Sequence, residues 1–354
     1  MKIALITDTH WGARGDSPAF ANYFNRFYYE QFFPYLAENN IKTIFHLGDI
    51  CDRRKYINFV TARHLRNFMD KCSAEDIDIH VIIGNHDTTY KNTNDVNCMK
   101  ELYDHTEYKG LKWYDSPTTV NVGETNIAVL PWVCSGNYDE SMGFLQDTPA
   151  QILFGHLEIA GFEMYKGAVN DHGFDSKIFD KFDVVCSGHF HHKSTRGNIN
   201  YLGAPYEMSW SDYNDPRGFH IFDTETRELT FIRNPLTMFN KVHYHDQDKT
   251  IDELMAVDWD YYKGSYVKLI VHTKTNPYWF DMFVDKIEKA GVLDLQVVDD
   301  NLNLQMEDDG DIVNEAEDTL TVLNKVVDQV ESRVDKKVLY NFLSSLYNEA
   351  LSVE

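Results

Sequence analysis

The 354-residue chain is predicted to be a layered α/β protein with smaller units behind the main domain. Two observations predict this. Over residues 1–238, runs of β-branched and aromatic residues alternate with helical stretches. Within that span, five polar clusters each stand at or just past the end of an apolar run. Open α/β sheets place their ligand-binding loops there, at the carboxyl ends of strands.

The elements follow in order. KIALIT reads as a first strand, and its apolar run is too short for a signal peptide. The segment from Phe20 to Asn39 is helical in pattern and rich in aromatics, and Ile41 to Leu47 is the next strand. Residues 59–72 form a second helix before a strand from Ile77 to Ile83. Strands then dominate, at 127–130, 151–154, 182–186, 199–202, 219–223 and 229–233. Residues 239–298 read as a small α+β capping domain: a strand at 265–272, a helix at 277–290 and a strand at 293–298. It has no ligand cluster, so it is expected to shape access to the site. Residues 299–311 are an acidic linker by composition. In the helical region 312–354, Leu320, Leu323, Val326, Val327, Val330 and Val334 recur at helical spacing, as do Val338, Leu339, Phe342, Leu343, Leu346 and Ala350. Such a hairpin either docks on the main domain or lays its apolar faces on another protein. Partner binding is the expectation.

Hydrophobic residues make up 43% of the chain and aromatics 14%, enough for a sizeable core. No apolar run reaches the roughly 18–20 residues needed to span a bilayer, so no membrane partner is expected. The five cysteines are odd in number and without paired spacing, which suits reduced thiols in a cytoplasmic setting. The net charge of −23 argues against an autonomous grip on DNA. Either the substrate is a small phosphate ester, or another subunit supplies much of the hold.

The five clusters are Asp8-Thr9-His10, Gly48-Asp49-Ile50-Cys51-Asp52, Gly84-Asn85-His86-Asp87, Gly155-His156 and Gly188-His189-Phe190-His191. Carboxylate, imidazole and amide oxygen are the donors that hard divalent metals prefer, and two such metals make a site for phosphate-ester cleavage. Residues i and i+2 of an extended segment face the same way. Asp8 with His10, and His189 with His191, can therefore each aim at one point. Asp49 has two oxygens with which to bridge two metals, and Asn85 offers a neutral carbonyl. His86 is left for catalysis, with Asp87 to orient or charge its ring. Asp52 is expected to structure the loop that holds Asp49. The remaining histidines, His46, His64, His80, His105, His172, His192, His220, His243 and His245, are expected to be surface or satisfied core residues. Arg14-Gly15-Asp16-Ser17 imitates an adhesion tripeptide by coincidence.

The order DxH, GDxxD, GNHD, GH, GHxH resembles that of the calcineurin-like metallophosphoesterases. That resemblance implies a β-sandwich flanked by helices. Three longer stretches sharpen it: 48–55 (GDICDRRK), 80–92 (HVIIGNHDTTYKN) and 201–207 (YLGAPYE). These resemble the SbcD-type nucleases of double-strand-break repair, especially the version encoded by tailed phages as a recombination endonuclease subunit. Cys51 stands where relatives often carry an aromatic residue.

The resemblance implies one metal held by Asp8, His10, Asp49 and His191, and a second by Asp49, Asn85, His156 and His189. The ions would be Mn²⁺, with Mg²⁺ the alternative, and His86 the transition-state histidine. It further implies a DNA exonuclease and single-strand endonuclease that works with an SbcC-type ATPase gripped by the C-terminal helices. A homodimer through the nuclease domain is also implied, to which the aromatic helix 20–36 is a candidate contributor. A phage-encoded chain would act in the host cytoplasm. The competing readings are a small-molecule phosphodiesterase or protein phosphatase on the same fold, and a scaffold that keeps metals for structure alone.

Overall fold

The computed structural model describes residues 1–103 and 107–299, together with Lys336 and Leu339. The unit Met1–Leu302 is compact. The helical region 312–354 apart from Lys336 and Leu339, and the acidic linker apart from Asp299, lie outside the described residues.

Two six-stranded sheets form the centre. The first runs, edge to edge, Leu229–Arg233, Gly218–Asp223, Lys2–Ile6, Thr43–His46, Asp78–Ile82 and Leu111–Tyr114. Its last four strands are parallel, and the two from Gly218 to Arg233 are antiparallel additions. The second sheet runs Ser194–Arg196, Ile199–Tyr201, Val184–Gly188, Ile152–His156, Thr125–Leu130 and Thr118–Val122. Its four middle strands are parallel.

Alternation along each strand decides what lies between the sheets. Ile3 and Leu5 join Phe45, Ile82, Phe154 and Phe222 in one buried cluster with residues of both sheets. Their neighbours Ala4 and Ile6 face the other way, into a larger cluster filled by helices. A strand covered on both faces must be apolar throughout, which is why KIALI carries no interior polar residue. The layered fold is therefore a sandwich with helices outside it, as the sequence predicts. Three strands of these sheets escaped the sequence reading: Leu111–Tyr114 is only four residues long, Ser194–Arg196 only three, and Thr118–Val122 is largely polar.

The aromatic helix is continuous in direction but not in winding. Pro18–Arg26 is α-helical, Phe27–Phe32 is a π turn, and Phe33–Glu38 is α-helical again. Phe20, Tyr23, Phe24, Phe27, Tyr28, Phe32 and Phe33 are all buried inside the chain, so this aromatic face is packed within the protomer. Phe24 stacks on Tyr206 with ring centroids 3.9 Å apart, and the Tyr206 hydroxyl donates to the Thr9 carbonyl at 2.5 Å. The helix thus supports the first polar loop from behind.

Residues 239–298 contain three parallel strands, Phe239–His245, Tyr266–Thr273 and Asp294–Asp299, with the helix Pro277–Lys289. The first of these strands was not anticipated. Val242, Tyr244, Leu269, Phe283 and Ile287 make an apolar cluster of their own. The buried Glu207 carboxylate accepts the N–H groups of Met238 and Phe239 at 2.6 and 2.9 Å, tying this unit to the YLGAPYE segment. Among the described residues, no helix is long and apolar enough to cross a membrane.

Candidate metal centre

All five polar clusters meet at one end of the sandwich. The first and second are stitched together by backbone bonds: Asp8, His10 and Trp11 N–H donate to the carbonyls of Gly48, Asp49 and Ile50 at 3.0, 3.1 and 2.9 Å. The His189 N–H donates to both Asp8 carboxylate oxygens at 3.1 Å, which joins the fifth cluster to the first. Gly48 and Gly84 are required for close approach. A Cβ on Gly84 would strike the backbone and carboxylate of Asp49, and one on Gly48 would strike the His156 ring.

Four of the seven predicted ligands hold left-handed backbone: Asp8 (φ 51°), His10 (41°), Asp49 (54°) and His189 (85°). Each such residue costs on the order of 1 kcal/mol, and such strain concentrates at functional sites. Here it turns the side chains inward at the ends of their strands.

The seven side chains converge. His10 Nε2 lies 3.1 Å from His191 Nε2 and 3.8 Å from Asp49 Oδ2. On the other side, His156 Nε2 is 3.3 Å from Asp49 Oδ2 and 2.9 Å from Asn85 Oδ1, which is 3.0 Å from His189 Nδ1. Donor atoms of Asp8, His10 and His191 lie within 4.8 Å of one another, as do those of Asp49, His156 and His189. The seven residues thus divide into two groups with Asp49 between them.

Electrostatics favour cations in both groups. Burial alone would make every one of these groups neutral, and it raises Asp8 to about 6. Asp49 goes the other way: despite burial, His156, His86 and His10 hold its carboxyl well below the usual range. Burial works against protons on His10 and His156, yet the Asp52 hydrogen bond with Asp49 raises His10 to about 10, and chiefly Asp49 raises His156 to about 9. Burial, reinforced by His156, pushes His189 down to about 3; burial and His10 push His191 well down. Positive charge therefore collects beside Asp49 on one imidazole of each group. Two facing imidazole nitrogens such as His10 Nε2 and His191 Nε2 cannot both accept, so a proton or a metal belongs between them. The donor set, oxygen and imidazole without thiolate, fits a hard divalent ion in each group.

The catalytic pair is arranged differently from the sequence expectation. His86 is buried against the cluster, with its ring edge-on to His10 at 4.8 Å. Its Nδ1 pairs with the Asp52 carbonyl at 2.7 Å, not with Asp87. Asp87 instead lies behind the centre. Its Oδ2 accepts the N–H groups of Asp49 and Gly84 at 2.8 Å, and its Oδ1 that of Cys51 at 3.0 Å. The Cys98 thiol adds a bond to Asp87 at 3.5 Å. Asp87 fixes the loop that carries Asp49, while Asp52 orients His86 and also lies 3.4 Å from His10 Nδ1.

Trp132 was missed: its ring packs 5.0 Å from that of His189. It stands two residues past the strand Thr125–Leu130, and that position beyond a strand end was the available signal. Arg217 was also missed. It donates to the His191 carbonyl and is held by Asp212 and Asp215. The other histidines stay out of the centre among the described residues: His46 meets Thr9, His80 meets Tyr114, and His192 meets Asp215.

A family description, the calcineurin-like phosphoesterases, matches residues 1–193. The chain belongs to this family. Divalent metals serve its fold, and this phosphoesterase carries the clusters to hold them. It is 32% identical over 352 residues, 99% of each chain, to "Exonuclease subunit 1" of Enterobacteria phage T4. It is also similar to one of the subunits of the nuclease SbcCD from two staphylococci. For Staphylococcus saprophyticus the identity is 20% over 87% of this chain and 92% of the relative. For Staphylococcus epidermidis it is 28% over 39% of this chain and 36% of the relative.

Removing the Asp87 carboxylate leaves three backbone donors unpaired behind Asp49. Asp87→Ala is expected to weaken Mn²⁺ binding by roughly 10- to 100-fold, read by calorimetric titration. Unchanged affinity would mean that the Asp49 loop holds itself.

Proposed function

We propose that this phosphoesterase is a metal-dependent DNA exonuclease and single-strand endonuclease subunit that works with an SbcC-type ATPase. The observation that carries the reading is the convergence of Asp8, His10, Asp49, Asn85, His156, His189 and His191 on two points that share Asp49. The names of the relatives, an exonuclease subunit and two nuclease subunits, support the substrate.

Asp8, His10, Asp49 and His191 would hold one ion, and Asp49, Asn85, His156 and His189 the other, with Mn²⁺ the first candidate and Mg²⁺ the second. Two divalent ions bound there supply the Lewis acidity that activates water and offsets charge on the phosphate. The chain's own part is positioning and proton handling. Because the Asp52 carbonyl accepts from Nδ1 of His86, the ring's Nε2 is the nitrogen free to hold or give a proton at the scissile group. Burial depresses the His86 pKa and favours the neutral ring, and an anionic phosphate arriving beside it would shift the balance back toward the protonated form. Asp87 keeps Asp49 and Gly84 in register through the backbone.

In this reading residues 1–238 are the nuclease domain, 239–298 a cap over substrate access, 299–311 a linker and 312–354 the ATPase-binding region. The nuclease domain forms a homodimer, and a phage-encoded chain acts in the host cytoplasm. A small-molecule phosphodiesterase or protein phosphatase is the second reading, and the net charge of −23 favours it.

Mn²⁺-dependent degradation of linear duplex DNA separates the two, with bis-p-nitrophenyl phosphate followed in parallel. Asp49→Ala and His86→Ala are each expected to reduce both activities by at least about a hundredfold. Undiminished cleavage by both variants would remove the assigned site, and turnover confined to the small ester even with the ATPase present would select the second reading. For the partner, a chain ending at residue 310 is expected to keep basal nuclease activity and lose co-purification with the SbcC-type ATPase. Retained co-purification would place the contact elsewhere.

A further inference from the structure

Trp132 bridges the two sheets at the metal end of the sandwich. Its strand, Thr125–Leu130, runs beside the one that ends in His156, with Leu130 opposite Gly155. His156 in turn lies opposite Gly188, the residue before His189. The Trp132 N–H donates across to the Ile83 carbonyl at 2.8 Å, and Ile83 directly precedes Gly84-Asn85 at the end of a strand of the other sheet.

The indole ring is half-buried, yet it joins none of the apolar clusters among the described residues. Its two ring contacts there are both with imidazoles, His189 at 5.0 Å between centroids and His156 at 6.2 Å. Its backbone is clamped. The Trp132 carbonyl accepts the side-chain amides of Asn94 at 2.9 Å and Asn137 at 3.0 Å, which occupies both of its lone pairs. A core tryptophan is held by apolar neighbours, whereas this one is held by its backbone and presents its ring to two candidate ligands.

The two imidazoles differ in what fixes them. The His156 ring is oriented by its own hydrogen bond, Nδ1 to the Leu47 carbonyl at 2.8 Å, which leaves Nε2 for Asp49 and Asn85. His189 Nδ1 meets Asn85 Oδ1, and among the described residues its Nε2 has no hydrogen-bond partner. A metal-binding imidazole ordinarily has its second nitrogen held by such a bond, which fixes the plane of the ring. For His189 the plane is set instead by the rings around it, those of Trp132, Phe190 and His156 at 5.0, 5.1 and 5.2 Å. Phe190 is its chain neighbour and His156 belongs to the same ligand group, so Trp132 is the outside support.

We propose that Trp132 is a positioning residue for one half of the centre. Its ring holds His189, and its N–H holds the Asn85 segment through Ile83, in place to receive the second ion. Trp132 thereby sets the affinity of that ion independently of the first. The proposal rests on the two-metal reading above and adds a residue outside the predicted ligands and the catalytic pair. Because the support is ring packing, a phenyl group serves in place of the indole and an aliphatic chain does not.

The test is Mn²⁺ titration of the full chain, with free Mn²⁺ read by electron paramagnetic resonance. It compares wild type with Trp132→Phe, Trp132→Leu and Trp132→Ala. Wild type is expected to bind two ions. Trp132→Ala and Trp132→Leu should each weaken one of them about tenfold and leave the other within about twofold, and Trp132→Phe should restore most of the loss. A His189→Ala chain already lacks a ligand of the second ion, so adding Trp132→Ala to it should change the remaining affinity by less than about twofold. Thermal melting of the metal-free chains, in which Trp132→Leu should match Trp132→Phe, separates the effect from loss of fold. A folded Trp132→Leu chain that binds both ions as wild type does, or that weakens both equally, would overturn the assignment while leaving the two-metal reading intact. A wild-type chain that binds fewer than two ions would overturn both.

Discussion

A carboxylate without water must be paired, and Asp49 is the carboxylate on which the rest of this molecule turns. Fully buried between two groups of imidazoles, it has His10 3.8 Å away on one side and His156 3.3 Å away on the other. Removing a charge from water costs several kcal/mol unless opposite charge and hydrogen bonds replace the solvent. The chain meets that demand twice. Protons are drawn onto His10 and His156, and Asp49 Oδ1 also accepts the His86 N–H at 2.7 Å. A site that gathers positive charge so strongly on protons is one that divalent ions would occupy in their place.

The architecture follows from holding that carboxylate still. Asp8, Asp49 and His189 each leave a parallel strand through left-handed backbone, which directs short side chains inward at the sheet ends. Glycines on the approaching segments leave room for them. Behind the loops stand two supports of different kinds. Asp87 grips the backbone of Asp49, Gly84 and Cys51 through hydrogen bonds, whereas the aromatic helix presses Tyr206 onto the Thr9 carbonyl through stacking. Tertiary packing of this sort, not local propensity, is what keeps strained residues strained.

Much of this could be read from the sequence, for specific physical reasons. Apolar runs ending in Asp, Asn or His reveal strand ends that carry ligands, because strand alternation and donor chemistry both leave marks on residue type. The central parallel strands of the two sheets were legible because burial on both faces forces them to be apolar. What escaped was information carried by backbone atoms. The Asp52 carbonyl, not the adjacent Asp87 carboxylate, meets His86, and no side-chain pattern encodes where a carbonyl points. The polar edge strand Thr118–Val122 was hidden because it faces the core with only alternate residues. The π turn at Phe27–Phe32 was hidden because an extra residue in one turn leaves a helical pattern nearly intact.

The acidity of the chain is consistent with this organisation. A net charge of −23 repels a polyanion at long range, but local sign is set by what lies nearest the scissile bond. Divalent ions held by the two groups would make that local sign positive inside an acidic surface. The most direct test of the central claim is a structure of the chain soaked with Mn²⁺, with ions located by anomalous scattering. The account predicts two ions per chain, both in contact with the Asp49 carboxylate. A single ion, or two ions that do not share Asp49, would contradict it.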